Sequence, residues 1–267
     1  QKIVDTLRSM DMSGEASRRG ASPYYQEKRQ ALVNALELIP SVIDKVEPAK
    51  NILRSEGFYD LERYIESINP VSETLGILSA VYYPSSMTAL NNDMRYSVYS
   101  SREIFRALDD TEENIFLGLY KDHILSSILE FSPNVLGISI TSTSQIIPGL
   151  TLAKLIKDRN KDIHVTVGGS VFTKLIENVK KVDGLFSIVD SFVVFEGEHA
   201  LLGLVEQVGG KRDFAKVPNL VYREDNVTRM NEPFFSEDLN RLPTPDFDGF
   251  PLRLYLTPAS VLPVQTS

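Results

Sequence analysis

The chain of 267 residues has no cysteine, no tryptophan and only three histidines. Without cysteine, these residues can form neither a disulfide framework nor a thiolate-held zinc or iron–sulfur site. His123, His164 and His199 lie far apart in sequence, so a metal site would need the fold to gather them with carboxylates. No apolar run approaches the roughly 18 residues of a membrane span. Basic residues form no stripe, and the net charge is -8. Neither nucleic acid nor a membrane is therefore an expected partner. The start, QKIVDTLRSM, has no apolar core of a signal peptide. Cytoplasmic residence is the expectation. Three familiar loops are also missing. There is no GxGxxG after a strand and no GxxxxGK[ST], which argues against an ordinary dinucleotide dehydrogenase or a P-loop enzyme. Nor is there a GxSxG nucleophile elbow.

What is present changes texture along the chain. Residues 1–70 read as an amphipathic helical extension. Ala31, Leu32, Ala35, Leu36 and Ile39 recur at helical spacing, with Pro40 ending the run, and Asn69-Pro70 ends a later one. Met10 to Ala21, small and polar, reads as a loop. From residue 71 to 210, apolar runs alternate with helical patterns. Strands are expected at Leu75–Val81, Asn114–Tyr120, Val135–Ile140, Ile163–Val167 and Ser191–Phe195. Ser100 and Glu103 have capping-box spacing ahead of a helix. Such alternation implies an α/β domain with a doubly wound, parallel five-stranded sheet covered on both faces. Residues 211–267 then read as a β-hairpin, Asn219–Arg223 with Val227–Met230, and a connector rich in proline and aspartate. The last residues, Leu262 to Ser267, have strand-like composition.

Ligands of open α/β sheets bind beyond the carboxyl ends of the strands, and small or polar residues crowd three of those ends. Gly137-Ile138-Ser139 is followed by Thr141 and Ser142, whose hydroxyls could meet a ligand or simply cap the next helix. Gly168-Gly169 removes two Cβ atoms, leaving room for a planar group or forming a tight turn. Glu196-Gly197-Glu198-His199 could supply an acid/base pair, but helix capping accounts for Glu198 and solvation for Glu196.

Together the three exits resemble the cobalamin (B12)-binding domain that precedes radical S-adenosylmethionine domains. The related domains carry Ser-x-Leu and, slightly under thirty residues later, Gly-Gly. Here Ser139-Ile140-Thr141 precedes Gly168-Gly169 at about that spacing, with Thr141 in place of Leu. Phe195-Glu196-Gly197-Glu198 stands where many members have Gly-Glu-Gly-Glu, and Leu239 to Asp248 looks like the family's bridge to the radical domain. The resemblance implies a Rossmann-like, B12-binding fold and a cobalamin site formed by Ser139, Thr141, Ser142, Gly168, Gly169, Glu196 and Gly197. It implies no catalytic residue and no protein metal ligand within this stretch. S-adenosylmethionine and a 4Fe-4S cluster would belong to a C-terminal radical domain, with this chain a fragment of a methyltransferase or related radical enzyme. One position departs. Methionine-synthase-like members have Asp-x-His-x-x-Gly, whose His ligates cobalt. Here Asp93, Arg95 and Val98 stand at those places, and Arg, always protonated, cannot ligate. The departure keeps open an alternative: a related domain that has lost its cofactor and serves as a substrate-binding or interaction domain.

Overall fold

The computed structural model describes residues 2–12, 22–235, 242–244 and 246–259. Two compact units divide the chain: Gln1–Met94 with Thr244–Ser267, and Arg95–Pro243.

In the first unit, α1 (Lys2–Met12), α2 (Pro23–Val42), α3 (Val46–Leu53) and α4 (Leu61–Val81) precede a minimal hairpin of β1 (Ser86–Met87) and β2 (Asn92–Asp93). Pro23 opens α2, where its missing N–H costs no hydrogen bond. The Asp60 carboxylate accepts the Arg63 N–H at 3.0 Å and caps α4. Two prolines do not stop these helices as expected. Pro40 lies in the last turn of α2, and α4 runs through Pro70. The expected strand at Leu75–Val81 is instead the last two turns of α4. Tyr64, Ile68, Val71 and Leu75 form one continuous stripe packed on Ala49 and Leu53 of α3. Ile77, Ala80 and Val81 pack toward Leu32 and Ala35 of α2. Burial along a helical stripe thus overrides a short run that by itself reads equally as strand. Of the expected loop, Met10 to Met12 are helical and residues 13–21 lie outside the described residues, as do Leu262 to Ser267 and part of the Leu239–Asp248 bridge.

The second unit holds the sheet. After α5 (Ser101–Asp109) come α6 (Ile115–Leu119), a wider turn over Tyr120–Ile124, and α7 (Leu125–Glu130). Then follow β3 (Val135–Ser139), α8 (Ile146–Arg159), β4 (His164–Gly168), α9 (Ser170–Val179), β5 (Ser191–Val193), α10 (Glu198–Val208), β6 (Leu220–Glu224) and β7 (Val227–Met230). The sheet order is β3-β4-β5-β6-β7. The first three strands are parallel, and the β6–β7 hairpin adds to β5 antiparallel. This is an α/β fold with a five-stranded sheet, but its membership differs from the expectation. The hairpin supplies two strands, and the run Asn114–Tyr120 is helical. Asn114 is the cause. Buried, it accepts the Phe116 N–H at 3.1 Å and donates to Ala107 O and Thr151 Oγ1, both at 2.9 Å, so it nucleates a helix at that point.

Helices cover both faces. Phe172 of α9 packs on Phe192 of β5, while Ala200 and Leu204 of α10 pack on Val193 and Leu220 from the other side. Gly149 lets α8 lie close on β3, because a Cβ there would come within 2.5 Å of Ile140 Cδ1. At the amino ends of the strands, Lys157 Nζ holds both oxygens of Asp190 at 3.0 and 2.8 Å, and Asp190 accepts the Val165 N–H at 2.7 Å. This anchors the end of α8 to the sheet and leaves the opposite, carboxyl edge to vary.

Candidate functional site

The fold brings the three predicted strand exits to one edge. Ser139 and Gly168, the last residues of β3 and β4, are register partners. Ile140 N–H continues the pairing to Gly168 O at 2.8 Å. Beyond Ser139 the chain turns into α8. Gln145 Oε1 accepts the N–H groups of Thr141 at 2.8 Å and Ser142 at 3.1 Å, completing a capping box with Ser142. The capping reading of these residues is therefore realised, yet Ser139, Thr141 and Ser142 keep exposed side chains. A capped, pre-formed turn holds them without needing a ligand.

Gly168 and Gly169 do different work. A Cβ at Gly168 would stand 3.3 Å from the backbone oxygen of Val193, a tight approach but a looser one than at Gly169. At Gly169 the backbone has φ +104°, and a Cβ would fall 2.3 Å from Ile140 O. The space a side chain would take at Gly169 is filled by the β3 exit itself, which locks the two exits together.

The β5 exit is built on a residue that sequence reasoning missed. Asn219, buried and at positive φ (57°), donates through Nδ2 to Glu196 O and Phe234 O, both at 2.8 Å, and accepts the Phe234 N–H at 2.7 Å. It ties the Glu196-Gly197 turn to the hairpin strand and to the segment after it. An asparagine just before a hairpin strand was the available signal, since Asn tolerates the left-handed region. Phe195, also at positive φ (60°), donates its N–H to Thr173 Oγ1 at 3.0 Å and sets its ring against Phe235. Glu198 is the first residue of α10. His199 is exposed, edge-on to Phe234.

Arg95 is committed elsewhere in its unit. Its Nη2 lies 2.8 Å from Glu113 Oε1, 3.4 Å from Asp110 Oδ2 and 3.1 Å from Tyr96 Oη, and Tyr96 Oη donates to Asp110. The Tyr96 hydrogen bond, with Glu113 and Asp110, raises the Arg95 pKa further, so it stays a fixed cation. Burial alone would raise Asp110. Bonds from Tyr96 and the Glu113 and Glu112 N–H groups, with Arg95 nearby, hold it below the usual carboxylate range. Asp93, in β2, accepts Asn91 Nδ2 at 3.0 and 3.1 Å.

Beside the carboxyl edge lies an apolar cavity of about 160 Å³. Ile104, Ile146, Leu150 and Phe172 form its walls, with Tyr99 and Asn178 among the polar lining groups. Ile146 opens α8 and Phe172 lies in the first turn of α9, so this cavity adjoins the β3 and β4 exits.

His164 sits at the opposite end of β4, buried, with Nε2 2.9 Å from Ser191 Oγ. Burial depresses its pKa below the ordinary value. Its contribution to stability is full above the unfolded-state value of about 6.5 and declines as pH falls below it. Thermal melts from pH 8 to 5 should show this loss, and it should flatten in His164→Gln. Among the described residues no group of three or more His, Asp or Glu side chains could hold a metal ion, and no helix is long and apolar enough to cross a membrane.

Residues 103–205 match the family model described as B12 binding domain. The match runs from α5 into α10 and takes in all three strand exits. A curated relative, an uncharacterized methyltransferase of Pyrococcus horikoshii, is 27% identical over 152 residues. These cover 55% of this chain and 32% of the relative, so the chain spans about a third of that relative's length. No solved structure matches the chain.

Proposed function

We propose, from a B12-binding domain at residues 103–205, that the carboxyl edge of β3, β4 and β5 holds cobalamin for a methyl-transferring enzyme. The observation that carries this is the direct register pairing of Ser139 with Gly168 inside the matched span. It sets the serine exit and the glycine exit side by side, as one cradle. The residues present suit the group. Ser139, Thr141, Ser142 and Ser170 offer exposed hydroxyls to the polar tail, and the adjoining apolar cavity suits a flat base. Gly168 keeps the cradle floor low, and Gly169 fixes its shape. Glu196 and Gly197 form the third side, held by Asn219. Bound cobalamin supplies a cobalt centre able to carry a methyl group, and the protein's share is placement and exclusion of water. With Arg95 held by Glu113 and Asp110, the protein offers no cobalt ligand at that position. The name of the Pyrococcus relative supports the methyltransferase part. A radical S-adenosylmethionine domain, with its iron–sulfur cluster, completes the reading as a partner beyond these residues.

The test is direct. Protein mixed with hydroxocobalamin and desalted should retain a red species with cobalt close to one per chain. Ser139→Trp, at an exposed exit, should abolish retention while leaving the melting temperature unchanged. The Arg95 network favours a second reading, a domain of this fold without the cofactor. Colourless protein after desalting would select it.

A further inference from the structure

The outer face of α10 carries an apolar stripe that, among the described residues, no element of the second unit covers. Ala200 and Leu204 point into the core. On the opposite side Leu201, Leu202 and Val205 are 45%, 60% and 48% exposed. At helical spacing these three share one face with Glu198 at its beginning and Gly209 at its end. Exposed Lys211 and Arg212 follow directly. Beside Leu202, His199 leads to the exposed ring of Phe234 and widens the patch. The order along the face is acid, apolar, small, base.

That order is self-complementary in one arrangement. We propose that α10 is an isologous docking surface for a second copy of this chain, the two helices packing antiparallel about a twofold axis near Leu202 and Val205. Leu202 of each copy then meets Val205 of the other, and Gly209 admits Glu198 at close range. Lys211 and Arg212 come beside Glu196 and Glu198 of the second copy. A parallel arrangement would set acid on acid, which disfavours it. Glu206, at the margin of the stripe, stays at the solvent rim. A twofold axis repeats every contact, so three large apolar residues per copy act twice. A helix of this length buries an area at the small end for specific interfaces, which makes the association a weak, reversible one.

Sedimentation velocity of the full chain from about 1 to 100 μM should show a monomer–dimer equilibrium. Leu202→Glu, a surface change, should weaken it by roughly 30-fold or more, without altering the melting curve at low concentration, where the parent is monomeric too. Glu198→Lys should weaken it by about 2- to 5-fold, and adding Lys211→Glu with Arg212→Glu should restore it. Monomer at every concentration would overturn the proposal. So would a dimer indifferent to Leu202→Glu, or charge reversals that fail to compensate. Cobalamin retention by the monomeric variant is read separately and does not bear on this surface.

Discussion

Leu75–Val81, LGILSAV, and Val135–Ile140, VLGISI, are nearly the same string, yet the first is the end of helix α4 and the second is strand β3. A third run, NIFLGLY at Asn114–Tyr120, is again mostly helical. Composition does not separate them; their surroundings do. LGILSAV continues a helical stripe begun at Tyr64, and its apolar residues divide between two neighbouring helices. VLGISI follows Pro133-Asn134, pairs with β4 along its length, and presses Ile138 and Ile140 on Gly149 of α8. Where a run meets helices on two sides it coils; where it meets a strand and one helix layer it extends.

Substitutions can break this contrast. The largest effect belongs to Gly169→Ala, which puts a Cβ into Ile140 O where β3 and β4 exit. A loss of roughly 2–4 kcal/mol is expected, read by urea denaturation. A loss under about 0.5 kcal/mol would mean the exits are not locked as described. Next comes Asn114→Ala. It removes a helix cap and the two buried hydrogen bonds that Asn114 donates to Ala107 O and Thr151 Oγ1, with an expected cost of about 2 kcal/mol. If the variant were as stable as the parent, the helical state of NIFLGLY would need another cause. Smaller and opposite in sign is Gly76→Ala. Gly76 is exposed within α4, and nothing lies within 4 Å of the Cβ it would gain. Helix propensity predicts a gain of about 0.5–1 kcal/mol, whereas destabilisation would return the segment to the strand reading. Smallest is Gly137→Ala in β3, whose Cβ would meet only Thr166 Cγ2 at 3.9 Å. A change within about 0.5 kcal/mol is expected there, completing the pair of matched glycines.

Much of the second unit was legible in the residues. The strands expected at Val135–Ile140, Ile163–Val167 and Ser191–Phe195 form as β3, β4 and β5. The Ser100 cap also forms, with its hydroxyl accepting the Glu103 N–H at 3.4 Å, although the Glu103 carboxylate reaches back to Ser97 N–H instead of Ser100. The β6–β7 hairpin was marked by Asp225-Asn226, both at positive φ. The alternation of strands and helices implied a parallel sheet, and register pairing makes the Ser139 and Gly168 exits adjacent. What could not be read was the reason for Gly169: a glycine pair looks like an opening, and here its second member is a contact between backbones. Asn219 was likewise hard to read as a site residue, because the two residues its side chain bonds, Phe234 and Glu196, lie 15 and 23 positions away along the chain.

The sequence by itself determined the local chemistry of this protein. It set the capped turns, the amphipathic helices, the hydroxyl-rich and glycine-rich exits, and the absence of cysteine that leaves any iron–sulfur chemistry to other residues. Those features act over a few positions and depend on propensity and hydrogen bonding near at hand. Only the tertiary structure decided which apolar runs extend, that the hairpin completes the sheet, and that Arg95 belongs to Glu113 and Asp110. Each of those outcomes turns on burial against elements distant in the chain, and apolar burial is non-directional. A run such as LGI therefore takes the conformation that its neighbours leave open to it.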